Sequence, residues 1–125
     1  MSMNETGRNV AAIDSGTLEK WLEERAAGAR DFVLVDVREP YEYEMEHIVG
    51  VDLLLPSSQY AEWVQALRER YGDQTVVLTC RTANRTGQLQ PYLQQMGCID
   101  VVNHLGGILS YTGPKESGMQ GAQNV

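Results

Sequence analysis

The stretch that decides the fold is residues 75–96, which read TVVLTCRTANRTGQLQPYLQQM. Its first five residues are apolar or β-branched, so they predict a buried strand at Thr75–Thr79. Its second half predicts an amphipathic helix over about residues 86–96, with an apolar face formed by Leu89, Tyr92, Leu93 and Met96. A buried strand that leads into such a helix is the building unit of an α/β fold with a parallel sheet.

The same alternation of strand-like and helix-like segments runs through the rest of the chain. Further strands are predicted at residues 10–13, 32–37, 51–55 and 100–103, and further helices at about 14–27, 40–45, 57–71 and 108–111. A length of 125 residues suits one domain. Because the pattern ends after Thr112, we expect a folded domain over residues 10–112, a flexible tail over 113–125 and a flexible N-terminus over 1–9.

Composition and charge exclude several classes of function. The net charge of −7 disfavours general binding to nucleic acid or to anionic lipid. Residues 1–62 hold 13 acids and 5 bases, whereas residues 63–125 hold 4 acids and 5 bases, so anion chemistry is expected in the second half. The two cysteines are too few for a disulfide framework, no apolar run is long enough to span a bilayer, and the first residues lack a secretory signal. We therefore expect a cytoplasmic protein with reduced thiols.

The candidate site is the loop between the strand and the helix of residues 75–96. Cys80 follows the strand directly, and open parallel sheets place their sites at the carboxyl ends of strands. A short loop that enters a helix directs backbone N–H groups at one point, which binds anions and stabilises a thiolate. Arg81 and Arg85 add two positive charges, and the loop contains no acid. The pattern favours a reactive Cys80 beside an anionic ligand; the alternative is a cysteine buried in the core.

Three stretches resemble signatures of the rhodanese (sulfurtransferase) family. Residues 80–86, CRTANRT, are similar to its active-site loop, in which four residues separate a cysteine from an arginine that serine, threonine or alanine follows. Residues 36–43, DVREPYEY, with residues 47–50, HIVG, resemble the first family signature. Gly97 and residues 105–108, LGGI, resemble the closing signature. The resemblance covers about residues 10–112.

The resemblance implies a fold and an activity. The fold would be a rhodanese-like open, mostly parallel five-stranded sheet with helices on both faces. Cys80 would take the outer sulfur of thiosulfate or a related donor as a persulfide, and then pass it to cyanide or a thiol. The loop would bind the substrate through Arg81, Thr82, Ala83, Asn84, Arg85 and Thr86. For Arg85, a second role in tying the loop to the sheet is equally open. The scheme needs no cofactor and no metal.

Other functions remain open beside this enzyme. The domain can be a persulfide carrier that hands sulfur to an acceptor protein through an acidic surface, or a non-catalytic regulatory module. The expected partners are a small sulfur-containing anion, a thiol or cyanide acceptor, and a possible protein acceptor, but neither nucleic acid nor membrane. A phosphatase loop of cysteine, five residues and arginine is disfavoured, because the position that would complete it is Thr86.

Several other residues carry expectations that the structure can test. Asp36 and Arg38 are expected to form a structural pair near Cys80, and His47 to make structural hydrogen bonds. His104 is expected in a loop and Cys98 in the core, and Tyr111 stands where the family often has tryptophan. Ala83 stands where many family loops have glycine, so a positive φ there would cost about 1 kcal/mol. The four acids of the helix at residues 40–45 and its flanks are expected to form a solvated face, with docking of a basic partner as the alternative: Glu39, Glu42, Glu44 and Glu46.

Overall fold

A computed structural model describes residues 10–125 of the chain. In chain order the elements are β1 (Ala12–Ile13), α1 (Ser15–Ala26), β2 (Val33–Asp36), α2 (Pro40–Met45), β3 (His47–Ile48), β4 (Leu53–Leu54), a 3-10 turn (Ser57–Gln59), α3 (Tyr60–Tyr71), β5 (Thr75–Thr79), α4 (Asn84–Gln95), β6 (Asp100–His104), α5 (Gly107–Ser110) and β7 (Lys115–Glu116). None of the helices in this part of the chain is long and apolar enough to cross a membrane. The expected flexible segment at residues 1–9 lies outside the described residues.

The main sheet contains five parallel strands in the order β1-β6-β5-β2-β4. Its two central strands, β5 and β2, are paired so that Asp36 lies opposite Thr79. Because parallel strands end at the same edge, this register brings the segment after β2 next to the segment after β5. The N–H of Val37 donates to the carbonyl of Thr79 at 3.0 Å and fixes this junction. The predicted parallel α/β sheet is confirmed.

Helices cover both faces of this sheet. Strand residues on one face, among them Val35 and Leu78, pack with apolar side chains of α3 and α4. Their neighbours Leu34 and Val77 point to the other face and pack with α1 and α5. Side chains that alternate between two buried faces explain why the strand segments are apolar throughout. The prediction of helices on both faces is therefore confirmed.

The end of β6 corrects one boundary. His104 was expected in a loop, but it is the last residue of β6 and pairs with Ile13 of β1. The ladder continues one step further, because the N–H of Leu105 donates to the carbonyl of Ile13 at 2.8 Å. Pairing with the first strand therefore extends β6 past the point at which its apolar pattern ends.

The C-terminal segment is the largest departure from the sequence-based expectation. We expected residues 113–125 to be a flexible tail, but β7 pairs antiparallel with β3, and Gln123 bridges to Leu53 at the edge of the main sheet. The hydroxyl of Tyr43 also donates to the carbonyl of Gln120 at 2.7 Å. Backbone hydrogen bonds do not depend on hydrophobic periodicity. A polar segment without such periodicity can therefore be ordered when its backbone pairs with the exposed edge of a strand.

Candidate active site

Cys80 is the residue directly after β5, at the carboxyl edge of the sheet, and only 1 % of it is exposed. Its Sγ accepts the backbone N–H of Ala83 at 3.0 Å. The hydroxyl of Thr86, in the first turn of α4, lies 3.7 Å from the same sulfur. The loop therefore places one N–H donor and one hydroxyl oxygen next to Sγ. An N–H donor stabilises sulfur more strongly when the sulfur is negatively charged.

The turn of the loop depends on a left-handed residue. Ala83 has φ 79° and is the only non-glycine residue with positive φ in the described part of the chain. This conformation directs its N–H back to Cys80 and lets α4 begin at Asn84. The family resemblance placed glycine here, and the positive φ means that alanine carries a backbone strain of about 1 kcal/mol.

Helix α5 supports the loop from the other side. Ile108 donates its N–H to the carbonyl of Cys80 at 2.9 Å, and Leu109 donates to that of Arg81 at 3.2 Å. Gly107 makes this approach possible, because a Cβ at this position would collide with the carbonyl groups of Cys80 and Arg81. Its φ of 60° also favours glycine. Gly107 of the closing signature thus allows α5 to contact the Cys80 loop closely.

The two arginines of the loop lie in different surroundings. Arg85 donates two hydrogen bonds to the carboxylate of Glu42 in α2, at 2.8 and 3.0 Å. This fork lowers the pKa of Glu42 to about 2 and raises the pKa of Arg85. Arg81 is exposed and makes no ion pair within the described residues. Arg85 therefore ties the loop to α2, and Arg81 is the arginine whose charge is available to an anion.

The acids around α2 do not form one solvated face. Glu42 is paired with Arg85, and Glu39 accepts a hydrogen bond from Ser58 at 2.6 Å while it caps α2. Glu44 and Glu46 are exposed, as expected. The sequence-based interpretation was wrong for Glu42, because helical spacing alone does not show that a loop arginine reaches this position.

The remaining loop residues lie on the outer side of the turn. Thr82 and Asn84 are on this side together with the exposed Arg81, and Asn84 begins α4. Thr86 is buried, so its hydroxyl is directed inwards to Cys80 and the sheet. The structure thus brings Cys80, Ala83 and Thr86 together and leaves the other predicted binding residues at the rim.

Asn103 was missed by the sequence analysis. It lies on β6, and its Oδ1 accepts a hydrogen bond from the Thr86 hydroxyl at 2.5 Å. The only signal in the sequence is a polar residue near the end of a strand. Because strand ends often carry polar residues, this signal does not distinguish a site residue from a solvated one.

A buried ion pair lies beneath α2. Arg38 donates from Nε and Nη2 to the carboxylate of Asp36, at 2.7 Å for the shortest contact, and both side chains are buried. The same guanidinium donates to the carbonyl of Glu46 at 2.8 Å. The pair therefore fixes α2 against the end of β2, next to the catalytic loop.

The two histidines are both buried in hydrogen-bond networks away from Sγ. His47 lies 2.9 Å from the carbonyl of Tyr43 and 3.0 Å from the carboxylate of Glu116 on β7. His104 lies 2.8 Å from the hydroxyls of both Thr79 and Ser15. Burial lowers the pKa of His104 to about 4, so this ring is neutral at pH 7.

The second cysteine and the aromatic of the closing segment belong to the core. Cys98 is buried, and burial raises the pKa of its thiol. Tyr111 is also buried and packs edge-on against His104, with ring centroids 6.1 Å apart. The expected core position of Cys98 is the one it occupies. A raised pKa leaves Cys98 mainly as a thiol at pH 7, which does not favour a role as a resolving nucleophile.

Comparisons with known proteins agree with this geometry. The Rhodanese-like domain model matches residues 18–113. The uncharacterized protein YqhL of Bacillus subtilis is 36% identical over 91 residues, which cover 73% of this chain and 69% of YqhL. A probable adenylyltransferase/sulfurtransferase, MoeZ of Mycobacterium tuberculosis, is 31% identical over 101 residues, which cover 81% of this chain but 24% of MoeZ. The tRNA uridine(34) hydroxylase of Shouchella clausii is 27% identical over 97 residues, with 74% of this chain and 29% of the hydroxylase covered.

The fold comparison gives the same result. The crystal structure of a rhodanese-related protein from Thermoplasma volcanium superposes with a TM-score of 0.69 and 26% sequence identity, covering 85% of this chain and 97% of that protein. That protein is therefore matched along nearly its whole length, whereas MoeZ and the hydroxylase contain much more than this domain. The chain belongs to the Rhodanese-like domain family, which supports a sulfurtransferase-type enzyme at the level of the family.

Proposed function

We propose that this protein is a sulfurtransferase that moves a sulfane sulfur from thiosulfate, or a related anionic donor, to cyanide or a thiol through a persulfide on Cys80. The observation that carries the proposal is the 3.0 Å contact between the N–H of Ala83 and Sγ of Cys80, at the end of β5. This hydrogen bond stabilises the negative charge that Sγ carries during the proposed reaction.

The proposed reaction has two steps. The Cys80 thiolate attacks the outer sulfur of thiosulfate, a new S–S bond forms at Sγ, and the S–S bond of thiosulfate breaks to release sulfite. Cyanide or a thiolate then attacks the outer sulfur of the persulfide, which gives thiocyanate or a new persulfide and returns the Cys80 thiolate. Each step transfers one sulfur atom and leaves the electron pair on the departing group, so neither needs an oxidant, a cofactor or a metal.

Burial and charge indicate which donors fit. Because only 1 % of Cys80 is exposed, a donor must present a terminal sulfur that is small enough to reach Sγ. Arg81 is exposed at the rim and attracts the anionic end of such a donor. The guanidinium of Arg85 is already paired with the carboxylate of Glu42. We therefore assign attraction of the sulfur donor to Arg81 and support of the loop to Arg85.

The test is a sulfur-transfer assay combined with intact mass. Purified protein is incubated with thiosulfate, and we expect an adduct heavier by about 32 Da, the mass of one sulfur atom, that disappears when cyanide is added and thiocyanate forms. Cys80→Ser abolishes both signals. Cys98→Ser, which changes the other buried cysteine, is the matched control and retains them. A folded wild-type protein that gives neither adduct nor thiocyanate with thiosulfate, mercaptopyruvate or polysulfide would overturn the proposal and favour a non-catalytic module.

A persulfide carrier is the second candidate, and exposed apolar side chains near the loop favour it. Leu109, whose N–H bonds to the carbonyl of Arg81, is 62% exposed, and Tyr92, which lines a cavity together with Arg85, is 56% exposed. Exposed apolar groups beside a reactive cysteine suit contact with an acceptor protein. A carrier would give slow thiocyanate formation but fast transfer to a protein thiol. We propose the cytoplasm for either activity, because reduced thiols persist there. The hydroxylase activity of the longer relatives is not carried over, since this chain spans 29% of that protein.

A further inference from the structure

Asn103 connects the main sheet to the catalytic loop through one hydroxyl group. Its Oδ1 lies 2.5 Å from Oγ1 of Thr86, and that Oγ1 lies 3.7 Å from Sγ of Cys80. The carbonyl of Ala83 is also within reach of the hydroxyl, at 3.2 Å. Three different acceptors therefore surround a single O–H group that is completely buried.

One hydroxyl has one proton and can donate it to only one of these acceptors at a time. The shortest contact is with Asn103, so the proton of Thr86 is directed to Oδ1 and a lone pair of Oγ1 faces Sγ. A lone pair accepts the S–H of a neutral thiol, but it repels a thiolate. To donate to a thiolate, the Thr86 hydroxyl must rotate and give up its bond with Asn103.

We propose that Asn103 is a positioning residue for Cys80, which acts through the Thr86 hydroxyl to set how readily the sulfur is ionised. The inference rests on the proposed function, in which Cys80 is the nucleophile. Two contacts then act on Sγ in opposite directions. The N–H of Ala83 favours the thiolate, and the hydroxyl of Thr86, while it is held by Asn103, favours the thiol.

This balance suits a site that must both attack and release sulfur. A thiol with a low pKa is ionised at neutral pH and is therefore ready to attack. Its thiolate is, however, a weaker nucleophile and a better leaving group than the thiolate of a thiol with a higher pKa. A hydroxyl that redirects its hydrogen bond from Asn103 to Sγ responds to the charge of the sulfur. The exchange needs no movement of the loop, because all three atoms are already in place.

Charged groups around Cys80 do not change in the test of this proposal. Arg85 interacts electrostatically with Cys80 and is paired with Glu42 of α2, and Arg81 follows Cys80 in the loop. The buried pair of Asp36 and Arg38 lies at the end of β2, and His104, at the end of β6, is neutral at pH 7. Replacing the neutral Asn103 with another neutral residue leaves all of these charges as they are.

The experiment measures alkylation of Cys80 by iodoacetamide as a function of pH, in a Cys98→Ser background so that only one thiol reacts. Asn103→Leu removes the acceptor with little change in volume, so the Thr86 proton becomes available to the thiolate. We expect the alkylation rate at pH 6.5 to rise by about three- to tenfold, the size of one typical hydrogen bond, and the midpoint of the pH profile to fall. Asn103→Ala tests the same point if the leucine variant does not fold, which thermal unfolding establishes.

Two controls make the readout specific. In a Thr86→Val background the hydroxyl is absent, so Asn103→Leu should no longer change the rate. Gln90→Leu removes another polar side chain between α4 and β6, one that donates to the carbonyl of Val101 at 2.8 Å, and should leave alkylation unchanged.

Each outcome has a clear meaning. An unchanged alkylation profile in the folded Asn103 variants overturns the proposal, and so does a change that persists in the Thr86→Val background. Alkylation does not require a sulfur donor, so it is independent of the sulfurtransferase assay. If the wild type transfers no sulfur but the Asn103 effect appears, the proposed function fails and the positioning role stands. If sulfur transfer occurs without the Asn103 effect, the reverse holds.

Discussion

Glu42 and Arg85 form a forked ion pair that joins α2 to the loop that contains Cys80. The two guanidinium nitrogens lie 2.8 and 3.0 Å from the two carboxylate oxygens. Both residues are partly shielded from solvent, with 15% and 31% of their side chains exposed, so the pair is neither fully buried nor a loose surface contact. It holds the loop in place, and it cancels a charge that would otherwise attract anions.

Replacing Glu42 tests these two effects together. Glu42→Gln removes the negative charge and one of the two strong acceptors, so the loop is held less firmly and the positive charge of Arg85 is no longer cancelled. We expect the KM for thiosulfate to fall about two- to fivefold at low salt and this difference to disappear at high salt, because the added attraction is electrostatic. Thermal unfolding should occur a few degrees lower, at a cost of about 1 kcal/mol.

The matched control for this variant is Glu44→Gln, which makes the same charge change at an exposed position of α2. It should leave both KM and thermal stability nearly unchanged. If the two variants behave alike, the effect comes from overall charge and the assignment of a local role to Glu42 is wrong.

The left-handed Ala83 makes a second prediction. At φ 79° a glycine is free of the strain that a Cβ causes, so Ala83→Gly should raise the free energy of unfolding by about 1 kcal/mol and the melting temperature by about 4 °C. Ala66 lies in the middle of the regular helix α3, where the same change should lower stability by about 1 kcal/mol. Opposite signs for the two variants in a chemical denaturation experiment support the strain; a loss at both positions contradicts it.

The close approach of α5 to the loop makes a third prediction. In Gly107→Ala the new Cβ meets the carbonyl groups of Cys80 and Arg81, so the loop must move and sulfur transfer should fall by more than tenfold. Gly28→Ala separates this collision from simple backbone strain. Gly28 has a similar φ of 80°, but no atom lies within 4 Å of the place that a Cβ would occupy, so that variant should lose about 1 kcal/mol of stability and keep its activity. Equal activity in both variants would show that α5 does not position the loop.

Burial of His104 predicts a loss of stability in mild acid. The folded protein holds the pKa of this ring at about 4, whereas the ordinary value is 6.5. Above pH 6.5 both states are neutral and the titration of His104 has no effect. Below pH 6.5 the unfolded chain binds a proton that the folded protein does not bind, so the free energy of unfolding falls by about 2 kcal/mol by pH 5. Denaturant titrations at pH 7 and pH 5 measure this difference.

The corresponding variant is His104→Gln, which cannot titrate. It should be less stable than the wild type at pH 7 because contacts with Thr79 and Ser15 change, but its stability should depend less on pH over the same range. Glu42 does not interfere with the comparison, since the pKa of its carboxyl group is lowered from 4.5 to about 2 and the variant leaves it unchanged. An identical pH dependence in wild type and variant would assign the effect to another group.

Much of the fold follows from local patterns. The segments with strong signals were predicted with their observed bounds: the apolar run Thr75–Thr79 and the helix Pro40–Met45, which begins at a proline. The loop between β5 and α4 was also predicted from the sequence, because Cys80 follows a buried strand. These features depend on residues that are close together in the chain.

The parts that were missed depend on partners far away in the sequence. β3 and β7 have two residues each, too few to show a periodicity, and each exists because of the other. The pairing of Glu42 with Arg85 and the contact of Asn103 with Thr86 also arise only when the sheet is assembled. Residue type alone shows that such side chains can bind a partner, but not which partner the fold brings to them.

The strand order has a consequence for how the protein is made. The first strand pairs with the last strand of the main sheet, with Ala12 opposite Asn103, so during synthesis β1 must wait for β6 before it has a neighbour. The central strands β2 and β5 can meet earlier, but their assembly exposes an open edge until β6 arrives. Because Gly107 must also be in place to hold the loop, the loop around Cys80 can be completed only after residue 107 has been synthesised. A ribosome that stalls before this point therefore leaves a nascent chain with an unprotected sheet edge and an incomplete Cys80 loop.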